Sequence, residues 1–544
     1  MKQIAFKNFR KFEDFPAIDL GGISILVGSN NAGKSTVVKA LQLIRYNLIS
    51  LVSGSKNETE MEDDEQDGFQ TPMFNFAPPA IHEHIHIGTF SRALNNNSKS
   101  DTICFETNYN DLHISMTIKG NQHPEASKIP IAELLVEDPD YGIQLKFDYA
   151  RKKVQVVLEK FVIPYWKAFG EKRGNRFRDK QLNRMLEFPP ADSQVMLDKL
   201  KEYSKLDKCT PAERKRAHDL TLAIKKYVAS YTAPDDRYPM KNVKTFKALQ
   251  KEYEKGREQN PYMMCYKIGG IPVCPRTTRY REDGPAENAS AQNQDFLFFQ
   301  QQMEVLNEKI VKVLHSDMEY IYAHAVGQNT LYRHNNTSDY MTETIQDFYL
   351  QNISSDETVM DFIYKWMNIF GIGSSFEILP IAGAEAYIFK VKDKEGRELH
   401  LADKGMGTIQ LMILLLKMGI LVKKFKTSKL SRSQKPMIII EEPEQNLHPS
   451  LQSKLADLFF EINRKFNIRF VIETHSEYLV RRSQVIVSEL HNQEKESAGN
   501  PFKVYYFPEN GNPYDMQYRE DGIFVNKFGE GFFNEAKKQI YDLL

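Results

Sequence analysis

The sequence predicts an α/β fold, and three stretches carry that expectation. "GISILVGSNNAGKST" (22–36) joins a buried apolar run to a glycine-containing turn and then to a segment of helical period. "MIIIEE" (437–442) is a second strand-like run, stopped abruptly by two carboxylates, and "RFVIETHSEYL" (469–479) is a third, ending at His475. Short apolar runs that alternate with helix-patterned segments are how strands between helices read.

In chain order, "KQIAFKNF" and "FPAIDL" alternate as strands do, "GISILVG" is a buried strand, and apolar residues take helical spacing from Val37 onward. Residues 53–80 are polar and include the acidic run "ETEMEDDEQD" (58–67), which reads as a surface loop. From "HEHIHIGTF" to about Gln144 the pattern is strand-like again. Near Arg151 the texture becomes helical and basic, and 275–294 is an exposed loop or linker. A long helix is expected over 295–321, then amphipathic helices in "IQDFYLQNI" and "VMDFIYKWMNIFGI". Strands follow in "SFEILPI" and "AYIFKVKD", a helix after "LADKGMGTIQ", a helix from Pro449 to Asn463, and a strand-rich tail. These changes of texture divide the chain into 1–145, 146–315 and 316–544.

The 544 residues are 41% hydrophobic and 26% charged, enough for two or three domains with sizeable cores. No apolar run approaches the roughly 20 residues of a membrane span, and "MKQIAFKNFRKFEDF" holds no apolar export core, so a cytoplasmic protein without membrane association is expected. Four scattered cysteines (Cys104, Cys209, Cys265, Cys274) exclude a disulfide framework. The formal net charge is zero, yet 151–260 carries 27 Lys+Arg against 15 Asp+Glu. That excess points to an acidic partner for the middle of the chain, such as nucleic acid, or to solvated lysine-rich helices. Arg173, Arg176, Arg178, Lys180, Arg214, Lys215 and Arg216 are the candidate phosphate contacts.

"GSNNAGKS" fits G-x-x-x-x-G-K-[ST] between a strand and a helix, the context a phosphate loop needs. Gly28, Asn30, Asn31, Ala32, Gly33, Lys34, Ser35 and Thr36 are therefore expected to bind nucleotide. Backbone amides and the helix start face phosphate oxygens, Lys34 reaches the β- and γ-phosphates, and Ser35 offers its hydroxyl to Mg²⁺. "MIIIEE" supplies the acidic strand such a site requires: Glu441 at the Mg²⁺ position and Glu442 as the base that polarises water. Glu441 stands where Asp is usual, and the extra methylene favours a water-mediated contact. His475, at the tip of the next strand, is placed to sense the γ-phosphate. Gly405, Gly407, Thr408 and Gln410 open a helix whose N-terminus is a weak anion site on its own. His82, His84 and His86 alternate; a strand with surface histidines, or one near the nucleotide, is favoured over zinc, which needs ligands from elsewhere too.

These elements, in this order, resemble the ABC-type ATPase head of the SMC and OLD families. "NFRKF" and "AIDLGGISILVGSNNAGKSTVVKAL" look like the first-lobe opening, "DKGMGTIQ" like the signature motif, "EEPEQNLHP" like the Walker B and D-loop of the OLD-like branch, and "THS" like the switch histidine. "HIHIGTF" and "GIFVNKFGEGFFNEA" also resemble this branch. The likeness covers about 1–145 and 320–544, and implies a P-loop NTPase head of two lobes with a mostly helical insertion. It further implies ATP and Mg²⁺ as cofactors, and two heads sandwiching ATP with one Walker A facing Gly405–Gln410 of the other, as a homodimer or higher oligomer. Glu444 would then lie at the dimer seam. Within the branch the chain resembles bacterial anti-phage ATPases, Septu (including retron-associated versions) ahead of PARIS. That implies an HNH nuclease partner and, in retron systems, a reverse transcriptase with its DNA product. An OLD-like chain carrying its own Toprim nuclease is the main rival, but only 69 residues follow His475, too few for that domain. An SMC-like DNA-repair head is another, but 151–315 is too broken by Pro and Gly for a long coiled coil.

Overall fold

The computed structural model describes residues 1–53, 71–78, 85–159 (apart from 110–111, 121–123 and 140–141) and 329–529 (apart from 334–339, 382–385, 428–434 and 493–498). Within 197–323 it describes stretches that include 210–230, 240–251, 263–268, 271–277 and 318–323. The acidic run 58–67, His82, His84, Arg173, Arg176, Arg178 and Lys180 lie outside the described residues.

The three apolar runs become neighbours in one sheet. Its order is Met318–Ile321, Met437–Glu441, Arg469–Thr474, Ile23–Gly28, Phe502–Phe507 and Tyr514–Asp515. The first five strands are parallel and the last is antiparallel. Strands covered on both faces need apolar residues at every position, which is why "MIII" and "ISILV" do not alternate. Met437, Ile439 and Val471 face one core with the Lys34–Ser53 helix. Ile438, Ile440 and Ile472 face a second core with the helices Tyr340–Leu350, Glu357–Ile369, Met406–Thr427, Pro449–Phe466 and Glu477–Asn492.

The Lys34–Ser53 helix is sandwiched between this sheet and a nine-stranded antiparallel sheet, with which it shares the first core. The path of that second sheet runs Met240–Thr245, Lys153–Leu158, Ile143–Asp148, Lys128–Asp138, Leu112–Lys119, Thr102–Tyr109, Gln3–Phe9 and Phe12–Asp19. The expected lobe boundary at 145 therefore falls inside a strand, and Lys153–Leu158 and Met240–Thr245 carry the sheet into the stretch read as helical. Helix is present there too, in Pro211–Ser230, where Arg214 and Lys215 are exposed.

Two further expectations are corrected. The helix read through 295–321 does not reach Ile321: Met318–Ile321 is a strand paired in parallel with Met437–Ile440. Its "MEYI" is too short and too mixed to be told from a helix end by periodicity. "HIHIGTF" is not a strand over its described residues: Phe90–Ala93 is a short helix capped by Thr89, and the His86 ring bonds the Pro78 carbonyl at 2.8 Å. The helix Met406–Thr427 is apolar on all sides because it is a core element. By length and composition Met406–Lys426 could cross a bilayer, but 83% of its apolar window is buried inside the fold.

Candidate functional site

The phosphate loop sits where the Ile23–Gly28 strand passes into the Lys34–Ser53 helix. Gly33 has φ +107, and a Cβ there would lie 2.5 Å from the Phe12 ring, so both conformation and space demand glycine. A Cβ on Gly28 would lie 2.3 Å from the Phe507 carbonyl oxygen. Asn30 and Asn31 are exposed, with Asn31 left-handed at φ 61, while Ala32 and Thr36 are buried. The Lys34 ammonium donates to the carbonyls of Gly28 (3.1 Å) and Ser29 (3.0 Å). Burial lowers its pKa, opposed by the charges of Glu473, Glu442 and Glu444.

A cleft of about 380 Å³ opens over this loop. Its wall comprises Asn31 to Thr36, Glu473, Leu94, Asn96 and five cationic side chains: Arg10, Lys11, Lys34, Lys39 and Arg92. So basic a concavity over inward-turned backbone suits a polyphosphate. The structure thus gathers most of the expected phosphate-loop residues into one site. It adds Glu473, which the sequence reading passed over although it stands in "ETHS" directly before the switch motif. Ser35 Oγ donates to Glu473 Oε1 at 2.8 Å. Burial first, and then Glu441, push the Glu473 carboxyl up to about 7.

The acidic pair divides its contacts. Glu441 accepts the Ala323 N–H at 3.4 Å and a hydrogen bond from the Tyr320 side chain; burial raises its pKa. Glu442 is left-handed, at φ 45, which turns the chain sharply off the strand. Its N–H donates to the Glu473 carbonyl at 2.7 Å, and its side chain is bonded by the Gln445 amide. His475 Nε2 lies 4.0 Å from Glu442 Oε1, and burial, then Lys34, lower the imidazole pKa. Glu444 is not at an exposed seam: it is 8% exposed, and its Oε1 accepts the His475 N–H at 2.7 Å.

The helix-opening residues lie behind this turn rather than in the cleft wall. Gln410 Nε2 donates to the Glu442 carbonyl at 3.1 Å, and Gly407 is packed so that a Cβ would lie 2.7 Å from the Asn446 carbonyl oxygen. Gly405 is exposed with open space around it, and the Thr408 N–H closes the first turn on the Gly405 carbonyl at 2.9 Å. Among the described residues no group of three or more His, Cys, Asp or Glu is arranged to hold a metal alone. Magnesium does not need one, since one or two carboxylates plus substrate phosphates suffice. The oxygen donors of Ser35 and Glu473, bonded to each other at 2.8 Å, fit such a cation.

A phosphate loop between a parallel strand and a helix, with carboxylates at the ends of the next two strands of the sheet, defines a P-loop ATPase of α/β class. The chain belongs to the AAA ATPase domain family (AAA_15), which matches residues 1–480. No curated protein matches it. Similar solved structures include the Smc head domain of Pyrococcus furiosus with an extended coiled coil, bound to the C-terminal domain of ScpA (10% identity, 100% of this chain and 98% of that one, TM-score 0.32). The Smc head of Pyrococcus yayanosii with a coiled coil and joint is another (10% identity, 96% and 97%, TM-score 0.33). A third is the SMC head domain of Thermotoga maritima (9% identity, 95% and 98%, TM-score 0.31).

Proposed function

We propose that this chain hydrolyses ATP to ADP and phosphate between two of its heads, and that the cycle controls a partner nuclease in a bacterial anti-phage system. The observation that supports the chemistry best is the basic cleft lined by Lys34, Ser35 and Glu473, with Glu442 and His475 close enough to Lys34 to interact with its charge. In this reading the amides of Gly33 to Thr36 and the ammonium of Lys34 bind the phosphates. Ser35 and a strand-tip carboxylate would hold Mg²⁺, which when bound would offset phosphate charge. Glu442 holds the attacking water and takes its proton. His475, neutral at pH 7, donates or accepts one hydrogen bond at the γ-phosphate end.

The dimer reading is supported by the exposed, uncrowded Gly405 at a helix start. The nuclease and reverse-transcriptase partners, and the anti-phage setting, are supported by the motif likeness alone. Nucleic-acid contact through 151–315 is supported by the charge excess and by exposed Arg214 and Lys215; binding through these side chains should fall steeply as salt rises. The chemistry is tested by nucleotide binding and turnover of wild type and Lys34→Ala. Wild type should bind and hydrolyse ATP and the variant should do neither. Wild-type turnover by Lys34→Ala would defeat the reading.

A further inference from the structure

The carboxylate nearest the phosphate-loop hydroxyl is not the one the acidic-strand motif assigns. In the sheet order the Arg469–Thr474 strand lies between the Met437–Glu441 strand and the phosphate-loop strand. Glu473 is thus one strand spacing from the loop, about 4.8 Å, whereas Glu441 is two, about 10 Å. Glu473 and Glu441 are register partners, so one occupies the near place and the other stands behind it.

The contacts follow this placement. Glu473 Oε1 accepts the Ser35 hydroxyl at 2.8 Å, and the residue forms part of the cleft wall with Asn31 to Thr36. Its second oxygen, Oε2, is buried without a hydrogen-bond partner in a residue only 5% exposed. A carboxylate oxygen left so is costly, and such an orphan beside a binding cleft calls for a ligand. Glu441 has its needs met by the Ala323 N–H and the Tyr320 side chain, and it is not among the residues lining the cleft.

We propose that Glu473, rather than Glu441, is the protein carboxylate that positions Mg²⁺ together with Ser35. The inference rests on the ATPase reading and deepens it. A hydroxyl and a carboxylate oxygen are hard donors of the kind magnesium takes while keeping most of its waters. Glu441 then acts as a supporting charge behind Glu473.

The test measures binding of a fluorescent ATP analogue to the full chain, in EDTA and across a Mg²⁺ titration. Wild type, Glu473→Gln, Glu473→Asp and Glu441→Gln are compared, with thermal melts of each nucleotide-free protein to certify folding. Glu473→Gln should bind at least as well as wild type in EDTA, because one negative charge beside the triphosphate is gone. Its half-saturating Mg²⁺ concentration should rise about tenfold or more, the usual loss when a metal-site group is removed. Glu473→Asp, which keeps the charge but withdraws the oxygens by one methylene, should shift less, and Glu441→Gln least. The Asp variant carries the test if the Gln variant does not fold. A wild-type Mg²⁺ response in the folded Glu473 variants, or a larger loss in Glu441→Gln, overturns the proposal. So does loss of turnover in Glu473→Gln with its Mg²⁺ response intact, which would assign Glu473 to water activation. Failure of wild type to bind nucleotide with or without Mg²⁺ overturns the ATPase reading itself.

Discussion

Gln410 and Glu442 are tied side chain to main chain: the Gln410 amide donates to the Glu442 carbonyl at 3.1 Å. The Glu442 N–H is held as well, by the Glu473 carbonyl at 2.7 Å. The strained φ of Glu442 is thus fixed from both sides, one being the helix whose exposed start would meet a second head. Gln410→Ala should leave ATP binding near wild type. Loss of one neutral hydrogen bond, about 1 kcal/mol, should slow turnover about three- to tenfold. Single-turnover rates read this directly, and an unchanged rate would show that the tie does not position Glu442.

Gly405 and Gly407 should respond differently to a methyl group. At Gly407 a Cβ would lie 2.7 Å from both the Asn446 carbonyl oxygen and Leu447 Cδ2. Gly407→Ala must move the turn after the acidic strand, at a cost of about 1–3 kcal/mol visible as a lower melting temperature. At Gly405 nothing lies within 4 Å. Gly405→Ala should melt like wild type yet lose ATP-dependent dimerisation in size-exclusion chromatography. A Gly405→Ala protein that dimerises normally would take this residue out of the head-to-head interface.

Three strands of the central sheet, Ile23–Gly28, Met437–Glu441 and Arg469–Thr474, were legible because each is a short apolar run that stops at chemistry-bearing residues. Lys34, Ser35, Glu442 and His475 stand out in the sequence for the same reason: each follows such a run. Glu473 was missed because its relation to Ser35 spans 438 residues and depends on strand order, which no local spacing reports. Met318–Ile321 was read as a helix end because four residues carry no decisive period. The strands at Lys153–Leu158 and Met240–Thr245 were hidden by charge: "KVQVVL" and "MKNVKT" extend a sheet whose outer positions tolerate lysine. The role of Glu444 also escaped, since only the fold reveals that its carboxylate holds the His475 N–H.

Glu442→Gln should retain ATP binding and lose turnover by at least about 100-fold, the range of a general base. It should also accumulate a closed dimer with ATP. His475 packs 4.0 Å from Glu442, and its lowered pKa keeps it neutral at pH 7. A neutral hydrogen-bonding group at this position should therefore preserve function better than none. His475→Asn is expected to keep more activity than His475→Ala, with ATP affinity similar in both. Equal turnover by Glu442→Gln and wild type would remove the role given to Glu442.

The nucleotide-free protein should become less stable as pH rises through neutrality, owing to carboxyls buried beside the site. Burial raises the Glu444 pKa and pushes Glu473 up to about 7, from an ordinary value of 4.5 for both. Between the unfolded and folded values the native state holds protons that the unfolded state has released. The resulting stabilisation is fully present below 4.5 and is lost as pH climbs through about 7. Glu444→Gln removes one titrating group while keeping an oxygen for the His475 N–H. Its melting temperature should therefore fall less than that of wild type between pH 5.5 and 8, in buffers without nucleotide or Mg²⁺. Glu473→Gln should flatten the dependence in the same direction. Parallel melting curves for wild type and both variants across that range would show that neither carboxyl is protonated in the native state. The acidic cluster would then be held ionised by its cationic neighbours Lys34 and Lys39 together with the hydrogen bonds it accepts from Ser35 and the His475 N–H.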